Sequence, residues 1–150
     1  MHLPDAGVCF IDKVLSYKPD LCLIDWFSTG YMECSEKTLQ CIDTILYKFS
    51  LINCSVVFLI FPASRSDDKY DEKSIFYNFC RKALKERNAS WIDISDELKN
   101  SDLSGVLRDT IHTTIQGGGI YADIIKRELH LIPFAEIDFL IMHSIKILKY

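Results

Sequence analysis

Long uninterrupted apolar stretches are missing from this chain of 150 residues. The longest clean run, Val56-Val57-Phe58-Leu59-Ile60-Phe61, falls far short of the ~20 residues a transmembrane helix needs. The greasy stretch from Leu131 to Leu148 is broken by Glu136, Asp138, His143 and Lys146. Positive charge is also scarce. Seventeen Lys and Arg face 21 Asp and Glu, for a net charge of -4, so no basic field exists to gather nucleic acid or anionic lipid. The N-terminus lacks the charged segment followed by an apolar one that marks a secretory leader. With Met1 as the start, the chain is expected in the cytoplasm.

C-x-x-C is absent, and no His stands at metal-ligand spacing from a Cys. No metal or organic cofactor is therefore expected. The six cysteines, at 9, 22, 34, 41, 54 and 80, read best as small hydrophobes in a reducing compartment rather than as disulfide partners. Six glycines and four prolines are too few for a linker, a repeat or a low-complexity tract.

What remains is a globular composition, 49% hydrophobic and 25% charged, with enough apolar material for one core and a length that predicts a single domain over 1–150. Apolar spacing predicts helices over 6–17, 35–49, 72–87 and 120–129, the last entered through the Gly117-Gly118-Gly119 break. Continuous apolar runs predict strands at 21–27, 55–61 and 90–95, of the kind buried on both faces. Strands alternating with amphipathic helices imply βαβ units, hence a three-layer α/β/α fold around a parallel sheet. Ligands in such sheets collect beyond the carboxyl ends of the strands. That draws attention to loops 28–34, 62–71 and 96–119. The segment 131–150 has no assigned role.

The sharpest chemical feature is Asp109-Thr110-Ile111-His112, followed by Gly117 and Ala122. A carboxylate three residues before a histidine fixes the imidazole tautomer and stabilises the imidazolium, leaving the other ring nitrogen to take a proton from a nucleophile. The competing reading is a surface Asx turn with a solvated histidine. The glycine run lacks the Lys-Ser/Thr of a P-loop and the spacing of G-x-G-x-x-G, so phosphate binding there is disfavoured. His2, His130 and His143 have no partner at motif spacing. Asp25, at the end of the first strand, is a candidate for bonding a loop or lining the site.

On these residues the chain resembles the SGNH, or GDSL-type, hydrolases, a superfamily of esterases, lipases and carbohydrate deacetylases. Asp109, His112, Gly117 and Ala122 fall at the spacing of that family's closing D-x-x-H block. Lys18-Pro19-Asp20-Leu21-Cys22-Leu23-Ile24-Asp25 is similar to its "kPDlvii" strand, Val56 to Pro62 to the strand that ends in proline, and Trp91-Ile92-Asp93-Ile94 to the strand after it. The resemblance covers roughly 6–128. It implies a flavodoxin-like sheet and a serine esterase in which His112 is the base, Asp109 orients it and no cofactor takes part.

Two departures qualify the implication. The family's Gly-Asp-Ser block is absent, and with it the strand that carries the nucleophile, so the first strand of the sheet is expected to be missing. Direct pairing of the 21–27 and 54–61 strands, a second copy or a partner chain would then complete the sheet. Aligned without gaps, Phe27-Ser28-Thr29-Gly30 stands where the family has G-x-N-D. Ser28 becomes the candidate nucleophile, ahead of Ser64, with Thr29 and Gly30 at the oxyanion. Thr29 replaces an amide donor, and losing one such donor costs about 2.7–4 kcal/mol of transition-state stabilisation. Two functions stay open: an esterase acting on O-acylated carbohydrate or a similar small ester, and a non-catalytic remnant that binds such a glycan. A flavodoxin-like nucleotide or response-regulator domain is a third reading, weakened by the lack of an acidic cluster and a phosphate loop.

Overall fold

In a computed structural model, residues 8–25 and 33–130 are described. The elements in order are α1 (Ile11–Leu15), β1 (Leu21–Asp25), α2 (Glu36–Ser50), β2 (Ser55–Ile60), α3 (Tyr70–Glu86), β3 (Ser90–Asp93), α4 (Ile94–Glu97), a 3-10 turn (Leu103–Gly105) and α5 (Ile115–Leu129). The three strands lie side by side in chain order and are all parallel. Leu21 is in register with Ser55 and Asp25 with Leu59, while Val57 meets Ser90 and Ile60 meets Asp93. The direct pairing expected of the first two strands is observed.

The apolar run of β2 has a simple physical origin. Successive side chains on a strand point to opposite faces, and both faces of β2 are covered. Val56, Phe58 and Ile60 join Ile42, Ile45 and Phe49 of α2 and Phe76, Cys80 and Leu84 of α3 in one core. Val57 and Leu59 join Ile92, Ile94, Leu98, Val106, Tyr121 and Ile124 in the other. A central strand sandwiched in this way has no polar face to alternate. β1 does alternate: Leu21, Leu23 and Asp25 are exposed, with Cys22 and Ile24 half-buried between them. It is one of the two edge strands of the described sheet.

Each helix-to-strand return uses one left-handed residue: Lys18 before β1, Asn53 before β2 and Asn88 before β3, with φ near 50° in each case. Asparagine tolerates this conformation better than most residues, because its short polar side chain bonds locally. The returns are pinned by carboxylate–guanidinium forks. Arg87 donates to both oxygens of Asp43 at 2.5 and 3.0 Å, tying α3 to α2, and Arg81 does the same to Asp93 at 2.5 and 3.1 Å, tying α3 to β3. Two parallel bonds fix orientation as well as distance.

Four expectations shift in detail. The third strand stops at Asp93, whose side chain accepts the Asp96 amide and starts α4 two residues earlier than the apolar run implied. α1 spans Ile11–Leu15 and Val8 and Cys9 before it are also helical, within the predicted 6–17, of which 6 and 7 lie outside the described residues. α5 begins at Ile115, so the three glycines lie within the helix rather than before it. Finally, Cys41, Cys54 and Cys80 are buried and Cys22 half-buried, but Cys9 and Cys34 are exposed, and all six are free thiols. Among the described residues, no helix is long and apolar enough to cross a membrane.

Candidate active site

The Asp109–His112 loop sits at the tip of a short closed hairpin. Leu107 and Thr113 form an isolated antiparallel bridge, and the Arg108 amide donates to the His112 carbonyl at 2.9 Å. Just beyond, Thr114 starts α5. Its hydroxyl accepts the Gly117 amide at 2.9 Å and donates to the Gly105 carbonyl at 2.8 Å, while its own amide donates to the Val106 carbonyl at 2.9 Å. One threonine thus caps the helix and straps its start to the preceding turn.

Gly117 is required here by contact. A Cβ at that position would lie 2.0 Å from the Val106 carbonyl oxygen, inside any allowed separation. Equivalent Cβ atoms on Gly118 and Gly119 meet nothing closer than 3.8 Å. The glycine expected as part of a break before the helix is therefore a point of close packing of the helix against Val106.

Within the hairpin the two sequence-predicted side chains meet. Asp109 Oδ1 accepts the amides of Ile111 at 3.0 Å and His112 at 2.8 Å, and His112 Nδ1 lies 3.0 and 2.9 Å from Oδ1 and Oδ2. The Asx turn and the carboxylate–imidazole pair are thus one structure, with the turn holding the carboxylate in place against the ring. The His112 amide, the Ile111 amide and then the His112 ring hold the Asp109 carboxyl down at about 2. Asp109 is therefore an anion at any ordinary pH. Nε2 of His112 has no hydrogen-bond partner among the described residues, and the side chain is 56% exposed. A donor on Nδ1 leaves Nε2 as the basic nitrogen.

The loop after β2 is brought against this hairpin. The Ser64 amide donates to the Thr110 carbonyl at 2.9 Å. Ser64 Oγ is 2.6 Å from Ser66 Oγ and accepts the Ser66 amide at 3.2 Å, which is turn chemistry. No serine hydroxyl among the described residues is hydrogen-bonded to His112. Ser28, Thr29 and Gly30 lie outside the described residues, as does the segment 131–150. Asp25 sits at the carboxyl end of β1 and carries interactions of its own. Burial pushes the Tyr77 hydroxyl well up and that of Tyr121 to about 12, with the Asp25 charge adding to both. Tyr77 comes from α3 and Tyr121 from α5, and each packs into a different one of the two cores. Sequence reading missed both tyrosines, which look like ordinary members of apolar helical stripes. Among the described residues no group of His, Cys, Asp and Glu is placed to hold a metal.

Comparison with solved structures places this architecture. An acetyl xylan esterase, AlAXEase, superposes with a TM-score of 0.70 at 19% identity, over 86% of this chain and 76% of that one. A lipase/acylhydrolase from Enterococcus faecalis gives 0.67 at 15% identity, over 89% and 73%. A catalytic mutant of Axe2, an acetylxylan esterase from Geobacillus stearothermophilus, gives 0.64 at 14% identity, over 86% and 68%. The chain shares the α/β fold of these structures, the fold that the sequence resemblance implies. No protein family and no curated protein matches at the level of sequence.

Proposed function

We propose that the chain is an SGNH-type ester hydrolase acting on O-acylated carbohydrate or a similar small ester, with Asp109 and His112 as its acid/base pair. The observation that carries this reading is His112 Nδ1 held against both Asp109 oxygens, with Nε2 without a hydrogen-bond partner among the described residues and the side chain exposed. The similar folds lend support. Catalytic mutants of Axe2 include replacements of a serine and of an aspartate and a histidine three positions apart, the spacing of Asp109 and His112.

On this reading Ser28 supplies the nucleophile. Its Oγ attacks the acyl carbonyl while Nε2 of His112 takes the hydroxyl proton. The tetrahedral oxyanion is held by donors around Thr29 and Gly30. Collapse expels the alcohol, which receives the proton back from Nε2, and water repeats the cycle on the acyl-serine. Asp109 stays ionised throughout, orienting the ring and offsetting its positive charge.

The absence of Gly-Asp-Ser favours a second reading, a non-catalytic domain that binds an acylated glycan. A fluorophosphonate probe on the folded chain separates the two. An adduct on Ser28 that disappears in His112→Ala supports the enzyme. Folded protein that takes up no probe, yet binds acetylated xylo-oligosaccharide saturably, overturns it in favour of the binding module.

A further inference from the structure

No described strand lies beyond β1. The Asp20 carbonyl accepts the Ser55 amide, and successive residues of a strand turn their backbone polar groups to alternate sides, so those of Leu21 and Leu23 face the open edge. Apolar side chains flank that edge on both faces of the sheet. On the α5 face, Leu21 and Leu23, in register with Ser55 and Val57, are 37% and 41% exposed. On the other face, α1 packs Ile11 into the α2 core, and its Asp12 pairs with Lys48 of α2. Phe10, Val14 and Tyr17 occupy the opposite flank of α1, pointing away from α2, and are exposed. An edge with such flanks is a template for one more strand.

The chain itself supplies an occupant. Residues 131–150 follow α5, and 13 of these 20 are hydrophobic, too many to leave in water without a surface to cover. Within them Phe139-Leu140-Ile141-Met142 is a continuous apolar run, the pattern of a strand covered on both faces. Ile137, Leu140, Ile141 and Leu148 also fit helical spacing, but a helix cannot pair with an open strand edge.

Topology chooses which edge. Strand–helix–strand connections in a parallel sheet are right-handed in nearly all cases. α2 and α3 lie on one face and step the chain from β1 to β2 to β3, whereas α5 lies on the opposite face. A crossover from β3 through α5 keeps the same hand only by stepping back, past β2, to the free side of β1. Landing beyond β3 would be left-handed. α5 starts beside the loop that follows β2, where the Ser64 amide meets Thr110, and so runs back toward the amino ends of the strands, where a parallel strand begins. Residues 131–136 reach ~20 Å when extended, enough for the roughly 15 Å from the helix layer across two strand spacings.

We propose that residues 137–142 add to the free edge of β1 as a parallel strand, covering Leu21, Leu23 and the α1 stripe. The sheet is then completed from within the chain rather than by a second copy or a partner. This closure does not depend on the ester-hydrolase reading.

Backbone NMR of the full chain tests it. Expected are proton contacts between 137–142 and 21–25 in a monomer, with amide exchange at Leu21 and Leu23 at least about 100-fold slower than in an unpaired chain. A mixture of isotope-labelled and unlabelled chains separates internal contacts from those between copies. Contacts between copies overturn the proposal in favour of a dimer, and helical contacts over 137–148 or fast exchange at both leucines overturn it as well. Of Leu140→Pro and Ile141→Pro, one removes an amide that faces β1, because alternate amides point each way. That variant should speed exchange at Leu21 and Leu23 at least about tenfold while Val57 and Phe58 stay protected. Exchange unchanged in both variants overturns the pairing, and where a proline variant fails to fold the wild-type contacts decide.

Discussion

Replacing Gly117 by alanine tests the packing that seats the candidate site. In an ordinary helix the change would be favourable, since glycine lies roughly 0.8–1 kcal/mol below alanine in helix propensity. Here the new Cβ would stand 2.0 Å from the Val106 carbonyl oxygen and 2.8 Å from its carbon. Ordinary contact needs well over 3 Å, so α5 must retreat by more than 1 Å from Val106. That oxygen also accepts the Thr114 amide at 2.9 Å, so the retreat stretches the strap that starts the helix. Overpacking against a backbone atom costs about 1–3 kcal/mol, and losing the strap bond adds about 1 kcal/mol. Against these stands the propensity gain of about 1 kcal/mol. The net expectation is a loss of about 1–3 kcal/mol. Gly118→Ala and Gly119→Ala, whose Cβ atoms meet open space or ordinary contacts, should instead gain about 0.4–1 kcal/mol. Urea unfolding of the three variants, compared at constant m, reads the difference directly. If Gly117→Ala proves as stable as its two neighbours, the close approach to Val106 is wrong, and with it the account of how the hairpin is held.

Asp109→Asn keeps an acceptor for the Ile111 and His112 amides but loses the anion. On the proposed reading it folds and loses roughly 10³–10⁴-fold in kcat, by analogy with orienting carboxylates elsewhere; esterase assays on acetylated xylo-oligosaccharide check this. The same pair makes a pH prediction. The Asp109 value in the folded chain, about 2, lies below the ordinary value of about 3.9, so its contribution to stability is complete above pH ~4 and is lost as pH falls through 2. The stability difference between wild type and Asp109→Asn, measured by urea unfolding, should therefore shrink as pH falls from 4 to 2. Thr114→Ala removes both the cap on Gly117 and the bond to Gly105, and should cost about 1–2 kcal/mol, read as a shift in the urea midpoint. Wild-type stability in that variant would show that the strap contributes nothing.

Much of the fold is legible in the residues because its causes are local. A strand covered on both faces must be apolar at every position, and Val56 to Ile60 is. A helix lying on one face must repeat its apolar residues every three or four positions, and Leu39, Ile42, Ile45, Leu46 and Phe49 do. The pairing of Asp109 with His112 is local as well, because three residues closed by an Asx turn bring carboxylate and ring together whatever surrounds them. Other features were out of reach. Three consecutive glycines argue against a helix by propensity, and only the carbonyl of Val106, brought close by tertiary packing, explains why the helix begins before them and why one of the three cannot grow a side chain. Tyr77 reads as one more apolar stripe residue until the packing strands its hydroxyl. Short-range periodicity and turn chemistry are written in the order of the residues, whereas a close approach such as that of Gly117 to Val106 is a relation between segments that only the folded chain brings together.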